Sequence, residues 1–107
     1  MKIIYMNYAS FIVKIIEKPT QIFFDNGTLL TQFIVQIPEF KNKSKCTIVH
    51  ATIWGKLGYD ITQYYQINDY IIVEGYLSIR ENLNSEFNFK TFKKAEISIY
   101  KIYPFLL

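Results

Sequence analysis

Residues 46–80 read CTIVHATIWGKLGYDITQYYQINDYIIVEGYLSIR, and the pattern of this stretch decides the fold. Successive side chains of a strand point to opposite faces of its sheet. Over 46–54 this places Thr47, Val49, Ala51 and Ile53 on one face, with Cys46, Ile48, His50, Thr52 and Trp54 on the other. Over 70–80 the alternation returns, setting Ile71, Val73, Leu77 and Ile79 against Tyr70, Glu74, Tyr76, Ser78 and Arg80. Between the two strands a Gly-Lys-Leu turn leads into a short helix near 57–65. There Leu57, Ile61 and either Tyr64 or Tyr65 are spaced to cap the end of a barrel. Gly75 interrupts the second strand; glycine weakens a flat sheet but permits the tight bend a small barrel demands. Two curved strands carrying aromatic and cationic side chains outward form a platform for flat ligands such as unpaired nucleobases.

Outward from this centre the chain reads as further strands. Residues 11–16 (FIVKII) make a first strand, with Lys14 outward and Phe11, Val13 and Ile15 inward, stopped by Pro19. Residues 21–24 and 29–37 flank Asp25-Asn26-Gly27, a hairpin signal because both Asn and Gly tolerate positive φ. Phe33, Val35 and Ile37 form the inward set of 29–37, Gln32 and Gln36 are solvated, and Pro38 ends or bulges the strand. Residues 40–45 (FKNKSK) are a polar basic loop, 81–90 a second long loop, and 94–100 a final strand. Short strands at steady spacing with one interposed helix favour a closed barrel over a sandwich.

With 107 residues, half of them hydrophobic, the chain forms one domain around one core. No apolar run is long enough to span a membrane, and the start lacks the apolar core and cleavage site of a secretory leader. Residues 1–7 are expected to be a disordered extension. The one cysteine, Cys46, excludes an internal disulfide and a cysteine-rich metal site. The net charge of +3 is too small to establish nucleic-acid binding on its own. Eleven lysines against one arginine, with abundant Ile, Asn, Phe and Tyr, indicate codon bias in an AT-rich genome, whether of an organelle or a bacterium. There is no glycine-rich phosphate loop, no nucleophile beside a base and no titratable cluster, so no enzyme, cofactor or small-molecule substrate is expected.

The run IWGKLGYDITQYYQINDYIIVEGYLSIR resembles the central signature of the bacterial single-stranded DNA-binding protein family. In that family a strand ending in an aromatic runs through Gly-Lys-Leu into a helix, then into a strand containing Glu-Gly and closing on an Arg. The likeness is closest to small plastid-encoded proteins assigned to single-stranded DNA binding in red-algal-type plastids, and it spans roughly residues 8–103. It implies an all-β fold, a five-stranded OB-fold barrel with one short helix between strands 3 and 4. It also implies no catalysis, binding by stacking and charge, a homodimer or homotetramer, and a place in the plastid (chloroplast) stroma. The alternative location is the cytoplasm of an AT-rich bacterium. Family members commonly carry an acidic tail that recruits replication enzymes; none follows Tyr103-Pro104-Phe105-Leu106-Leu107 here, so recruitment by that route is not expected.

The resemblance places Trp54 at a stacking position before Gly-Lys-Leu, against the alternative that a lone Trp belongs to the core. Phe40 lies near a second aromatic position, or anchors a loop under the barrel rim. Lys56 stands near the backbone path, or is merely solvated. Arg80 closes the second strand beside Tyr76 and Ser78, where a planar guanidinium could stack on a base or fork onto phosphate; the alternative is a salt bridge to Glu74 or Glu81. His50 shares the face of Trp54 and could bond to a base or phosphate or stay a neutral strand histidine; nothing near it has metal-ligand spacing. Lys41, Lys43 and Lys45 form either a solvated turn or a mobile clamp, and Lys14 adds an outward cation. Phe87, Phe89 and Phe92 either pack or await bases. Two further family stacking positions fall at Ile48 and Asn82, which weakens stacking unless Tyr70 or Tyr76 compensates.

Three functions therefore compete: a single-stranded DNA binder, an assembly module like the primosomal adaptors of the family with Ile48, Ile72 and Tyr70 as a subunit contact, and a binder of structured RNA.

Overall fold

The structure, a computed structural model, describes residues 8–38, 46–83 and 91–105, with the backbone alone at 46, 80–83 and 91–94. Its strands are β1 (Tyr8–Ile15), β2 (Thr20–Phe23), β3 (Leu29–Pro38), β4 (Cys46–Trp54), β5 (Tyr70–Leu83) and β6 (Thr91–Pro104), with the helix α1 (Lys56–Tyr64) between β4 and β5. The sheet runs β1-β5-β6-β4-β3-β2, and a β1–β3 pairing at Lys14↔Gln36 and Ile15↔Val35 closes it. The closed ring thus contains β1, β5, β6, β4 and β3, while β2 pairs with β3 alone. This is the expected five-stranded barrel. The hairpin strand read at 21–24 lies outside the ring, so among the ring strands α1 falls between the third and the fourth, as expected.

Alternation along each strand supplies the core. Val13, Ile15, Phe33, Val35, Val49, Ala51, Ile53, Ile71, Val73, Ile97 and Ile99 all point inward and are buried. Each large aliphatic side chain taken from water contributes roughly 1.5–3 kcal/mol. The helix closes one end of the barrel. Ile61 is fully buried, Leu57 and Tyr65 pack against the core, and Tyr64 is exposed, which resolves the open choice at 64 or 65. The helix lies flush on the sheet because Gly58 has no side chain: a Cβ there would come within 2.8 Å of Thr31 Cβ. Gly55, which precedes the helix, has φ +85 and turns the chain out of β4.

Several boundaries differ from the sequence pattern. β1 begins at Tyr8, where Tyr8, Ala9 and Ser10 pair with Tyr76, Gly75 and Glu74 while burying little. β5 and β6 stay paired out to Leu83 and Thr91, beyond the ends at Arg80 and Lys94 that the alternation marked. In the β2–β3 turn only Gly27 has positive φ, not Asn26 as well. The Gly27 N–H donates to the Phe24 carbonyl at 2.9 Å, making a three-residue hairpin with glycine in the left-handed position rather than a two-residue turn. Gly75 sits at a register shift between β5 and β6, where Tyr100 is the extra residue. The loop at 40–45, the remainder of the second loop at 84–90 and the expected extension at 1–7 lie outside the described residues.

Candidate nucleic-acid interface

Cross-strand partners point to the same side of a sheet, so the register maps the barrel's outer face. One row runs Leu30↔Trp54, the next Gln32↔Thr52↔Ser98↔Tyr76↔Tyr8, and the next Ile34↔His50↔Glu96↔Ser78. Trp54 therefore points outward, and it is 58% exposed.

Its ring is not isolated. Phe24, carried by the β2–β3 turn, stacks on it with centroids 5.9 Å apart and planes inclined by 25°. On the β6 side, Trp54, Tyr100, Thr52, Ser98 and Leu57 line a slot of about 90 Å³. Tyr100 meets Tyr76 edge to face at 5.4 Å, and Tyr76 meets Tyr8 edge to face at 4.9 Å. Phe24, Trp54, Tyr100, Tyr76 and Tyr8 thus form an aromatic band that crosses the strands of the outer face. Trp54 and Tyr76 were legible from strand alternation. Phe24, Tyr8 and Tyr100 were not singled out, although Glu96, Ser98 and Tyr100 alternate with inward Ile97 and Ile99.

The charge around the band is mixed. Lys56 opens α1 beside Trp54 and is exposed. Glu74 lies on the outer face between Ser10 of β1 and Lys101 of β6. The Tyr8 hydroxyl donates to Glu74 Oε2 at 3.3 Å. Desolvation first, and then the nearby Glu74 charge, push the Tyr8 phenol above its ordinary range. Lys14 points outward but belongs to the far edge, in the row Lys14↔Gln36↔Ile48. Six positions along β4 separate that row from Trp54, about 20 Å of strand. Its ammonium lies 5.8 Å from the centre of the Tyr70 ring, a cation–π contact instead of a place beside the indole. His50 is half-buried and lines a different groove from Trp54, with Thr52 between the two. Arg80 occupies an outer-face register position opposite Lys94, and Asn82 one opposite Phe92. Phe40, Lys41, Lys43, Lys45, Phe87 and Phe89 lie outside the described residues. Among the described residues no cluster of His, Cys, Asp and Glu could hold a metal ion, and no helix is long and apolar enough to cross a membrane.

Comparison with known proteins fits this geometry. A family model described as "Single-strand binding protein family" matches residues 6–104. The "Putative single-stranded DNA-binding protein ycf41" of Trieres chinensis is 50% identical over 103 residues, covering 95% of this chain and 91% of its own length. Among solved structures, the SSB domain of a Synechococcus sp. protein superimposes with a TM-score of 0.68 at 20% identity, over 95% of this chain and 99% of that one. A small single-stranded DNA-binding protein from Streptomyces coelicolor gives 0.69 at 16% identity, over 92% of this chain and 94% of that one. The second single-stranded DNA-binding protein of Mycobacterium smegmatis gives 0.69 at 18% identity, over 92% and 87%. At such identities the structural likeness speaks for the fold alone.

Proposed function

Because the chain belongs to the single-strand binding protein family, a family without catalytic activity, we propose that it binds single-stranded DNA by stacking unpaired bases on the band from Phe24 to Tyr8. The observation that carries this reading is the outward, solvent-open Trp54 in line with Tyr100 and Tyr76. Stacking on aromatic side chains contributes about 1–3 kcal/mol per base and tolerates any sequence, while cations follow the phosphates. Lys56 and Lys101 flank the band, and Arg80 has a register position on the same face. We assign the protein to the plastid on its AT-driven composition and its family likeness, and expect it to act as a homodimer or homotetramer.

Titration of Trp54 fluorescence with oligothymidylate tests the reading. Quenching is expected at low salt with a dissociation constant of about micromolar, weakening as salt rises, because each phosphate contact to a single strand adds roughly −0.7 to the salt slope. Duplex DNA and transfer RNA should compete poorly. Absence of quenching at low salt would remove the proposal.

Glu74 opposes phosphates at the edge of the band. Glu74→Gln should therefore tighten binding by about twofold to fivefold, the size of one exposed charge interaction. Parallel titrations at low salt check this, and an unchanged or weaker affinity counts against a strand path beside Tyr8 and Tyr76.

A second reading, an assembly module, draws on the exposure of Ile48 and Tyr70 on the outer face. A stable oligomer by light scattering, with no affinity for oligothymidylate, duplex or transfer RNA, would favour it.

A further inference from the structure

Two hollows open at the C-terminal end of α1, about 12 Å of helix away from Lys56 at its start. The first, of about 350 Å³, is walled by rings: Tyr64 and Tyr65 at the end of the helix, Tyr70 at the start of β5, and Phe105 after β6. Asn68 and Asp69, from the turn between α1 and β5, add polar groups. That turn is fastened to β1. Asn68 adopts a φ of +77, which asparagine tolerates. Its N–H donates to the Ile15 carbonyl at 2.7 Å, and the Ile15 N–H donates to the Asp69 carbonyl at 3.0 Å. The second hollow, of about 400 Å³, joins Pro19 to Tyr65 and Ile67, with Lys18 beside them. Tyr65 lines both hollows, and Tyr64, Ile67 and Tyr70 are exposed.

Three features of the first hollow attract a cation. The Asp69 carboxylate accepts the Gln66 N–H on Oδ2 at 2.8 Å, and it forms no ion pair among the described residues. The helix directs the negative end of its dipole here and carries no basic residue in its last turn. Aromatic faces draw cations as well. Tyr70 already does so for Lys14, whose ammonium lies 5.8 Å from the ring centre. Desolvation first, and then the Asp69 charge, raise the Tyr65 phenol above its ordinary range, so the carboxylate is felt at a ring both hollows share. The second hollow has the opposite bias. Lys18 disfavours a further cation there, while Pro19, Tyr65 and Ile67 offer apolar surface.

From this pair of hollows we infer a docking site for a protein partner: a segment of polypeptide that sets an arginine against Asp69 and the tyrosines, and a neighbouring apolar side chain against Pro19 and Ile67. A guanidinium is the fitting cation, because its plane stacks on rings and its N–H groups fork onto a carboxylate. Lys18 and Asp69 give the segment its direction, since only the Asp69 end welcomes positive charge. A polypeptide supplies the two groups side by side, whereas a metal ion or a simple diamine supplies charge alone. The length of α1 separates this site from Lys56 and the neighbouring Trp54, so a docked segment leaves the aromatic band open.

The test titrates a peptide with blocked ends, acetyl-Gly-Arg-Leu-Gly-amide, into isotope-labelled protein followed by NMR. Its counterpart carries citrulline, which replaces the guanidinium by a neutral urea of the same shape. The arginine peptide should shift the amide signals of residues 64–70 and saturate with a dissociation constant of about 1 mM or tighter. The citrulline peptide should bind about fivefold more weakly or worse. Asp69→Asn keeps an acceptor for the Gln66 N–H and should weaken the arginine peptide about threefold or more. Tyr64→Ala, which removes an exposed ring, should weaken it about twofold to fivefold. Equal binding of the two peptides, shifts centred elsewhere, no saturation, or an affinity untouched by both variants would overturn the site. Displacement of the peptide by oligothymidylate would overturn it too, by giving these hollows to the strand.

Discussion

Gly75→Ala should destabilise the barrel by about 3 kcal/mol, lowering the melting temperature by roughly 12–24 °C for a domain of this size. A Cβ built at position 75 would collide with the Ser98 carbonyl oxygen, and it would lie 2.8 Å from the Ser98 carbonyl carbon and 3.1 Å from Ile99 Cα. All three atoms are backbone of β6, so no rotamer change relieves the clash. The strands themselves must part at the place where the ladder shifts register. Because Tyr100 is the extra residue of that shift, the aromatic band should lose its middle ring as well. Circular dichroism melts of the variant check the effect. Gly27→Ala is the fitting control: it has open space around it and only its φ of +86 to accommodate, a cost of about 1 kcal/mol. A Gly75→Ala protein that melts within a few degrees of the unaltered chain would show that β5 and β6 need no such close approach.

Trp54→Ala/Tyr100→Ala should weaken binding of labelled oligothymidylate by about 100-fold or more, since each lost stacking ring costs about 1–3 kcal/mol. The rings are 58% and 59% exposed. Their removal should therefore change stability by less than about 1 kcal/mol, which separates lost binding from lost folding. Fluorescence anisotropy of the labelled strand is the measurement, because the variant has no indole. Tyr64→Ala removes a ring that is 76% exposed on the helix, away from the band, and should bind normally. An affinity within about threefold of the unaltered protein in the double variant would sink stacking as the mode of binding.

The parts of the molecule legible in the sequence are those set by local period. In β4 the inward residues Val49, Ala51 and Ile53 are aliphatic and the outward ones mixed, so the direction of Trp54 followed from counting in twos. Leu57 and Ile61 likewise fell on one face of a short helix. The band as a whole was not legible, because what unites Phe24, Trp54, Tyr100, Tyr76 and Tyr8 is register across four strands and a turn. Lys14 illustrates the converse: its outward direction was correct, but only the β1–β3 and β3–β4 registers reveal how far it lies from the indole. Gly75 was read as a bend, and the close approach of Ser98 depends on a neighbour more than twenty residues away. The strand ends were misjudged at Tyr8 and beyond Arg80 for a related reason: backbone pairing continues where side chains no longer record it.

If bases stack on the band as proposed, the contact between Phe24 and Trp54 restricts how a polynucleotide can travel. β4 has β3 on one flank and β6 on the other, and the phenyl ring comes from the β3 flank, carried by the turn that leads into that strand. One side of the indole is thereby occupied by the protein itself, leaving the side toward Tyr100. The ring works as a bookend and not as a rung: nucleotides can lean on it from a single direction and cannot thread past it. A bound chain must start, finish or turn sharply there, which caps the length one copy can accommodate along this row.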